Sequence, residues 1–201
     1  MNNVDWDKYH KEVYNDPYAD RDLEKFLKRF YLNDKEERKV LDIGCGQGKD
    51  TNYISENYEK WMCYACDFSS KALCIVNNNM IYSKRKNVKL KQCNADDTGY
   101  KDNFFDLVVD CVLLASNDAG PILKEIHRIL KPRGRVFIKE LSDSETNKDN
   151  KYIRRGEEAK KYSVEQLRGL LNVIGFEKIE VKKVLLKGQA VEHIVCTGRK
   201  I

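Results

Sequence analysis

VLDIGCGQGKD, residues Val40–Asp50, decides the reading of this chain. A short apolar run holds an aspartate, and three glycines follow at alternate positions, Gly44, Gly46 and Gly48. The run Lys39–Ile43 has the composition of a buried strand, and helical spacing begins near Gly48. A strand that passes into a helix through glycines presents bare backbone N–H groups and a positive helix end, a natural seat for a polar ligand. A dinucleotide-binding turn would read G-x-G-x-x-G, with the third glycine three residues after the second. Here the third glycine comes two residues after the second, and Asp42 stands two residues before the first.

Outward from this turn the chain alternates between apolar, β-branched runs and stretches at helical spacing. That pattern predicts an α/β fold with a mostly parallel sheet and helices on both faces. Strands are expected near 39–43, 61–66, 88–93, 105–110, 134–140, 176–184 and 190–197, and helices near 20–31, 48–58, 69–81, 120–130 and 163–174. Pro121 suits the first turn of its helix, with Asn117 or Asp118 as the cap, and Gly175 suits a helix end. No helix separates the last two strands, so they read as an antiparallel hairpin turning at Lys187-Gly188. The one long polar connection is Ser142–Tyr162, of a length usually kept for function.

The 201 residues suffice for one domain with a buried core. At 41% hydrophobic and 34% charged residues the composition is that of a globular protein, with no apolar run near the ~20 residues of a membrane span. Met1–Asp5 lacks a basic-then-apolar leader, and the odd count of seven cysteines reads as reduced thiols in a cytoplasmic setting. The net charge of +5 is uneven: residues 1–37 carry 7 Lys/Arg against 10 Asp/Glu, a balance of −3, so the remainder carries +8. This surplus permits a polyanionic partner without requiring one.

The glycine turn with its preceding aspartate resembles that of class I S-adenosylmethionine (SAM) methyltransferases. Further stretches extend the likeness: Asp67 ends the second strand in "YACDFS", an acidic loop "CNADDTGY" follows the third, and "FFDLVVDCVLLAS" and "EIHRILKPRGRVFIKE" resemble the fourth strand and the path into the fifth. The resemblance covers about residues 38–198 and implies a single Rossmann-like sheet, ordered 3-2-1-4-5-7-6, with an antiparallel seventh strand. It also implies that Asp67 accepts both hydroxyls of a ribose and that Asp96, with Asp97 as its close rival, accepts from the adenine amino group. The implied cofactor-contacting set is Trp6, Asp42, Gly44, Cys45, Gly46, Gly48, Asp67, Phe68, Ser69, Ala95, Asp96, Asp97, Asp110 and Cys111. Residues 1–37 are expected to form a helical segment in which "WDKYH", Trp6–His10, either closes over the cofactor or is an ordinary amphipathic helix; residues 38–201 form the methyltransferase domain. Arg133 departs from the usual Pro-Gly-Gly turn, at the sheet edge away from the ligand.

Methyl transfer from SAM is an in-line displacement at a carbon that the sulfonium already activates, so the protein chiefly positions the acceptor and excludes water. A hydroxyl acceptor would need a general base within hydrogen-bond reach. Candidates lie at the carboxyl ends of the strands: Asp110 as the catalytic residue, with Ser116, Asn117, Asp118 and Glu140 nearby. Asp118 and Glu140 are expected to be plain solvated carboxylates. His127 and His193 read as packing residues, and His10 as a residue that can reach the pocket. Cys63-x-x-Cys66 lacks the second pair of a structural zinc site, so no metal is expected.

The acceptor is open between a small molecule, a protein and tRNA. Lys84-Arg85-Lys86 and Lys131/Arg133/Arg135 precede strands and are expected on the edge opposite the ligand. "YACDFS" and "KYIRRGEEAKKYSVEQL" resemble stretches of tRNA 3-methylcytidine methyltransferases, which makes Arg154, Arg155 and Gly156 the candidates for RNA contact. A NAD-linked oxidoreductase is disfavoured by the glycine spacing. A catalytically inactive partner subunit of the same fold is disfavoured by the intact glycine turn and Asp67.

Overall fold

The computed structural model describes residues 20–144, 153–154, 157–185 and 191–201. The elements run α1 (Arg21–Tyr31), β1 (Lys39–Ile43), α2 (Lys49–Asn57), β2 (Met62–Asp67), α3 (Ser70–Tyr82), β3 (Val88–Gln92), β4 (Phe105–Cys111), α4 (Ala119–Ile129), β5 (Leu130–Leu141), α5 (Val164–Ile174), β6 (Phe176–Val184) and β7 (His193–Lys200). A 3-10 turn, Leu114–Ser116, follows β4, and two short strands, Ile153–Arg154 and Glu157–Glu158, pair with each other inside the long connection. Trp6, His10, Arg155, Gly156 and the Lys187-Gly188 turn lie outside the described residues.

The main sheet has the order β3-β2-β1-β4-β5-β7-β6, and β7 runs antiparallel to both β5 and β6. Alternation along the strands sends side chains to two cores. Leu41, Val108, Val136 and Ile138 meet Leu123, Ile126, Leu167 and Leu171 of α4 and α5 on one face. Val40, Leu107, Val109 and Phe137 meet Leu23, Phe26, Leu27 and Ile54 of α1 and α2 on the other. Val76 and Met80 of α3 cover Ala65 on β2. The segment around α1 is therefore packed into the core.

Caps set the helix limits. Asp20 accepts from the N–H groups of Asp22 and Leu23 to start α1, Asp118 accepts from Gly120 N–H to start α4, and Ser163 with Gln166 forms a capping box at α5. Gly175 ends α5 with φ +103°.

Three limits differ from the expected ones by three residues or more. β7 runs His193–Lys200, not 190–197, because its pairing with β6 extends to Lys200 opposite Phe176. β5 begins at Leu130, not 134, because Leu130 already pairs with Phe105 before the register shifts. The irregular stretch holds Arg133 at φ +68°. A Cβ on the next residue, Gly134, would come within 2.8 Å of the Lys131 carbonyl oxygen, so glycine is required there by space. At Arg133 the left-handed conformation costs a side-chain-bearing residue about 1–2 kcal/mol. Arg133→Gly is therefore expected to stabilise the domain by about 0.5–1 kcal/mol in urea unfolding, after the greater freedom of glycine in the unfolded chain is subtracted. A lower urea midpoint would count against this account.

Candidate active site

All three glycines of the opening motif have positive φ, +67° at Gly44, +53° at Gly46 and +81° at Gly48. What crowds the outer two is the protein itself. A Cβ at Gly44 would lie 2.9 Å from Leu113, and one at Gly48 would lie 2.7 Å from Val76 on α3. The middle glycine carries the polar link: Gly46 N–H donates to Asp67 Oδ2 at 2.9 Å. Cys45 N–H donates to the Cys66 carbonyl at 2.9 Å, fixing the turn to the end of β2.

Asp67 also accepts from Ser69 N–H through Oδ1 at 2.8 Å, while Ser69 Oγ caps α3 by accepting from Ala72 N–H. A carboxylate offers roughly four acceptor directions, so Asp67 is held in place with capacity to accept hydroxyls. Phe68 beside it is exposed. Beyond β3, Ala95 is half-buried and Asp96 and Asp97 are exposed, in a loop closed by a bridge between Asn94 and Asp97.

Beneath the turn lies a set of buried carboxylates. Asp42 accepts from Thr51 N–H at 3.0 Å and from the Thr51 hydroxyl, ordering the first turn of α2. Burial, reinforced by Asp50, pushes its pKa up to about 7. Asp110, at 0% exposure, accepts from Leu113 N–H at 3.0 Å through Oδ1, while its buried Oδ2 has no hydrogen-bond partner. Burial, and then the charge of Asp42, pushes its pKa up to about 8. Burial and the neighbouring acids hold the thiols of Cys45 and Cys111 neutral.

Two residues of β5 complete this end of the sheet. Glu140 is not the solvated carboxylate expected from sequence: it is fully buried and accepts from Leu114 N–H at 2.6 Å and Ala115 N–H at 3.1 Å. It fixes the 3-10 turn at the mouth of the site. Asp118 is exposed and caps α4. Lys139, 3% exposed, donates to Asp20 Oδ2 at 2.7 Å and Asp22 Oδ2 at 3.0 Å, and Asp20 N–H donates to Asp50 Oδ1 at 2.9 Å. This ion triad ties the start of α1 to the carboxyl edge of the sheet, and nothing in the sequence reading pointed to it.

The remaining candidates lie apart. His127 stands edge-on to the Phe176 ring, and His193 is half-buried on β7. Cys63 and Cys66 belong to the cores on opposite faces of the sheet, so they do not converge on one ion, and no metal-ligand cluster occurs among the described residues. Arg85 is engaged by the Asn52 carbonyl, Ser55 Oγ and Glu56, Lys131 by Asp106, and Arg135 lies over the Phe30 ring. Among the described residues no helix is long and apolar enough to cross a membrane.

The sheet order, the glycine turn and the two acidic strand ends define a methyltransferase fold. A family model described as a methyltransferase domain matches residues 34–191, and the chain belongs to that family. It is 34% identical over 105 residues to the demethylmenaquinone methyltransferase of Shouchella clausii, covering 51% of this chain and 45% of that protein. The chain thus spans about half the length of the curated relatives it matches. A SAM-dependent methyltransferase from Aquifex aeolicus superposes with a TM-score of 0.70 at 24% identity, over 90% of each chain. The 1,6-didemethyltoxoflavin-N1-methyltransferase of Burkholderia thailandensis, solved with its acceptor and S-adenosylhomocysteine, gives a TM-score of 0.74 at 22% identity, over 96% of this chain and 83% of that one.

Proposed function

We propose that this chain is a cytoplasmic SAM-dependent methyltransferase that methylates a nitrogen of a small organic acceptor. The observation that carries the reading is the Asp67 carboxylate, locked between the N–H groups of Gly46 and Ser69 at the mouth of the glycine turn. When bound, SAM supplies a methyl group on a positively charged sulfur. Asp67 takes the ribose hydroxyls, Asp96 or Asp97 takes the adenine amino group, and Phe68 covers the base. The amides of the glycine turn meet the amino-acid end of the cofactor, and Asp42 holds that turn against α2.

The unpartnered Oδ2 of Asp110 fits a cationic nitrogen. A cationic nitrogen set against Oδ2 would draw this raised pKa back down and hold the carboxylate ionised. A cleft of about 630 Å³, lined by Lys160, Tyr162, Gln166 and Leu170 among others, opens on the same edge. Its size suits a small molecule. The Tyr162 hydroxyl donates to the Leu114 carbonyl at 3.0 Å, which joins this cleft to the turn held by Glu140. A small acceptor also agrees with the substrates in the names of the relatives, and Arg85, Lys131 and Arg135 of the basic clusters on the far edge are engaged within the domain. The cytoplasmic assignment rests on seven free cysteines.

Asp110→Asn tests the site. One charge-assisted hydrogen bond is worth about 1.5–3 kcal/mol, so calorimetry should read an affinity for SAM lower by roughly tenfold or more. The free protein should behave oppositely. In the unfolded chain Asp110 ionises near 3.8, whereas folded it holds its proton until about pH 8, so the wild type loses stability as pH rises through this window. Asp110→Asn removes that loss and is expected to unfold at a higher temperature than wild type at pH 8, with no gain at pH 4. Unchanged SAM affinity would overturn the role given to Asp110. For the acceptor, labelled SAM is offered with a panel of small amines and heterocycles, with peptides and with tRNA. Label in tRNA that is lost on charge reversal at Arg154 and Arg155, at moderate salt, would replace the small-molecule reading.

A further inference from the structure

β2 and β3 end side by side, and each leaves a cysteine on the same face of the sheet. Cys66 is fully buried near the end of β2, and Cys93, directly after β3, is half-buried against the same apolar cluster. The Cys66 and Cys93 thiols are hydrogen-bond partners. Each backbone is also tied to the cofactor end of the sheet: the Cys66 carbonyl accepts from Cys45 N–H at 2.9 Å, and Cys93 N–H donates to the Asp67 carbonyl at 3.2 Å.

We propose that Cys66 and Cys93 are an oxidisable dithiol that a hydroperoxide converts to a disulfide, closing the adenine side of the cofactor site. Cys66 is fully buried, and burial keeps its thiol protonated. Cys93 is half-buried beside the Lys91 ammonium and is the sulfur that a hydroperoxide can reach. Cys93 thiolate takes the terminal oxygen of the hydroperoxide, the O–O bond breaks, and the departing oxygen leaves as water or an alcohol after protonation. Cys66, giving up its proton, then attacks the Cys93 sulfenic sulfur, and a second water leaves as the S–S bond forms. Two thiols are oxidised by two electrons in total, and one hydroperoxide is reduced.

Cys66 pairs with Lys91, so Cys93 is its diagonal neighbour two residues further on, and closing the sulfurs to about 2.05 Å draws one backbone toward the other. Cys93 has already left the β3 ladder, whereas Cys66 sits inside a five-residue register with β3 and another with β1. Cys93 is therefore the residue that moves, and Ala95, Asp96 and Asp97 follow it. The effect on the cofactor rests on the SAM site proposed above; the dithiol itself does not.

The test is peroxide treatment of the reduced full chain, then alkylation of remaining thiols, digestion and mass spectrometry. The expected product is a peptide pair joined through Cys66 and Cys93, lost on reduction and absent from Cys93→Ser and Cys66→Ala, while exposed Cys74 remains alkylated. Recovery of Cys66 and Cys93 as alkylated thiols, or Cys93 oxidised to sulfinic acid beside reduced Cys66, would overturn the dithiol. Repeating the treatment with saturating S-adenosylhomocysteine separates the two readings. Protection is expected, and a disulfide that forms equally fast with the ligand present would overturn its placement at the cofactor site.

Discussion

Asp67→Ala is expected to weaken SAM and S-adenosylhomocysteine binding by about 100-fold or more. Two hydroxyl bonds to a charged carboxylate contribute about 3 kcal/mol at the low end of their range, which is that factor. A second loss compounds it, because Asp67 also holds Gly46 N–H and Ser69 N–H, and without it the middle of the glycine turn is released from β2. Stability should fall as well, by about 1–3 kcal/mol, because Ser69 is 2% exposed and its N–H loses the Asp67 acceptor, while Gly46 is half-buried. Asp67→Asn keeps an acceptor oxygen but loses the charge, so it should fall between. Titration calorimetry reads all three proteins, and an Asp67→Ala affinity within about threefold of wild type, a difference of under 1 kcal/mol, would remove the ribose from this carboxylate.

Lys139→Met is expected to cost about 3–5 kcal/mol of stability, because it strands two buried carboxylates. Among the described residues Asp22 keeps only the exposed Lys25, 3.4 Å from its Oδ1, and Asp20 the more distant Lys49. Adding Asp20→Asn and Asp22→Asn should restore most of the loss, which a merely steric role for Lys139 would not predict. The acid side of the stability curve gives a second check. Burial alone would raise the Asp20 pKa, but the Lys139 ammonium outweighs it and holds the carboxyl below 3.8. The contribution of this pair is therefore full above about pH 4 and is lost as pH falls through the folded value. In Lys139→Met that acid loss should flatten. A urea-measured cost under about 1 kcal/mol, the worth of a surface pair, would mean that the triad is not closed in solution.

The elements that were legible in the sequence are those written in local pattern. The strand before Gly44, a cap at Asn117 or Asp118, the stop at Gly175 and the helix-free final pair all follow from spacing and turn chemistry. The sheet order came from the resemblance, since no local pattern states which strands are neighbours. Glu140 was misjudged because its partners, the amides of Leu114 and Ala115, carry no side-chain signal: any residue there has the same N–H. Lys139 was passed over for a related reason. A lysine near the end of an apolar strand usually reaches solvent, and what keeps this one inside is a pair of aspartates brought back by α1 from the far start of the chain. Asp42 and Asp110 are chosen as contacts, yet the burial that raises both pKa values, and the charge of Asp42 that adds to it at Asp110, depend on β1 and β4 lying side by side.

The outer glycines of the turn are packed against Leu113 and Val76, side chains that belong to the interior and touch the far side of the loop. A change of volume at either position therefore presses on the loop from behind. Ligand affinity in such a domain can be tuned from residues that never meet the ligand, by moving the backbone that does.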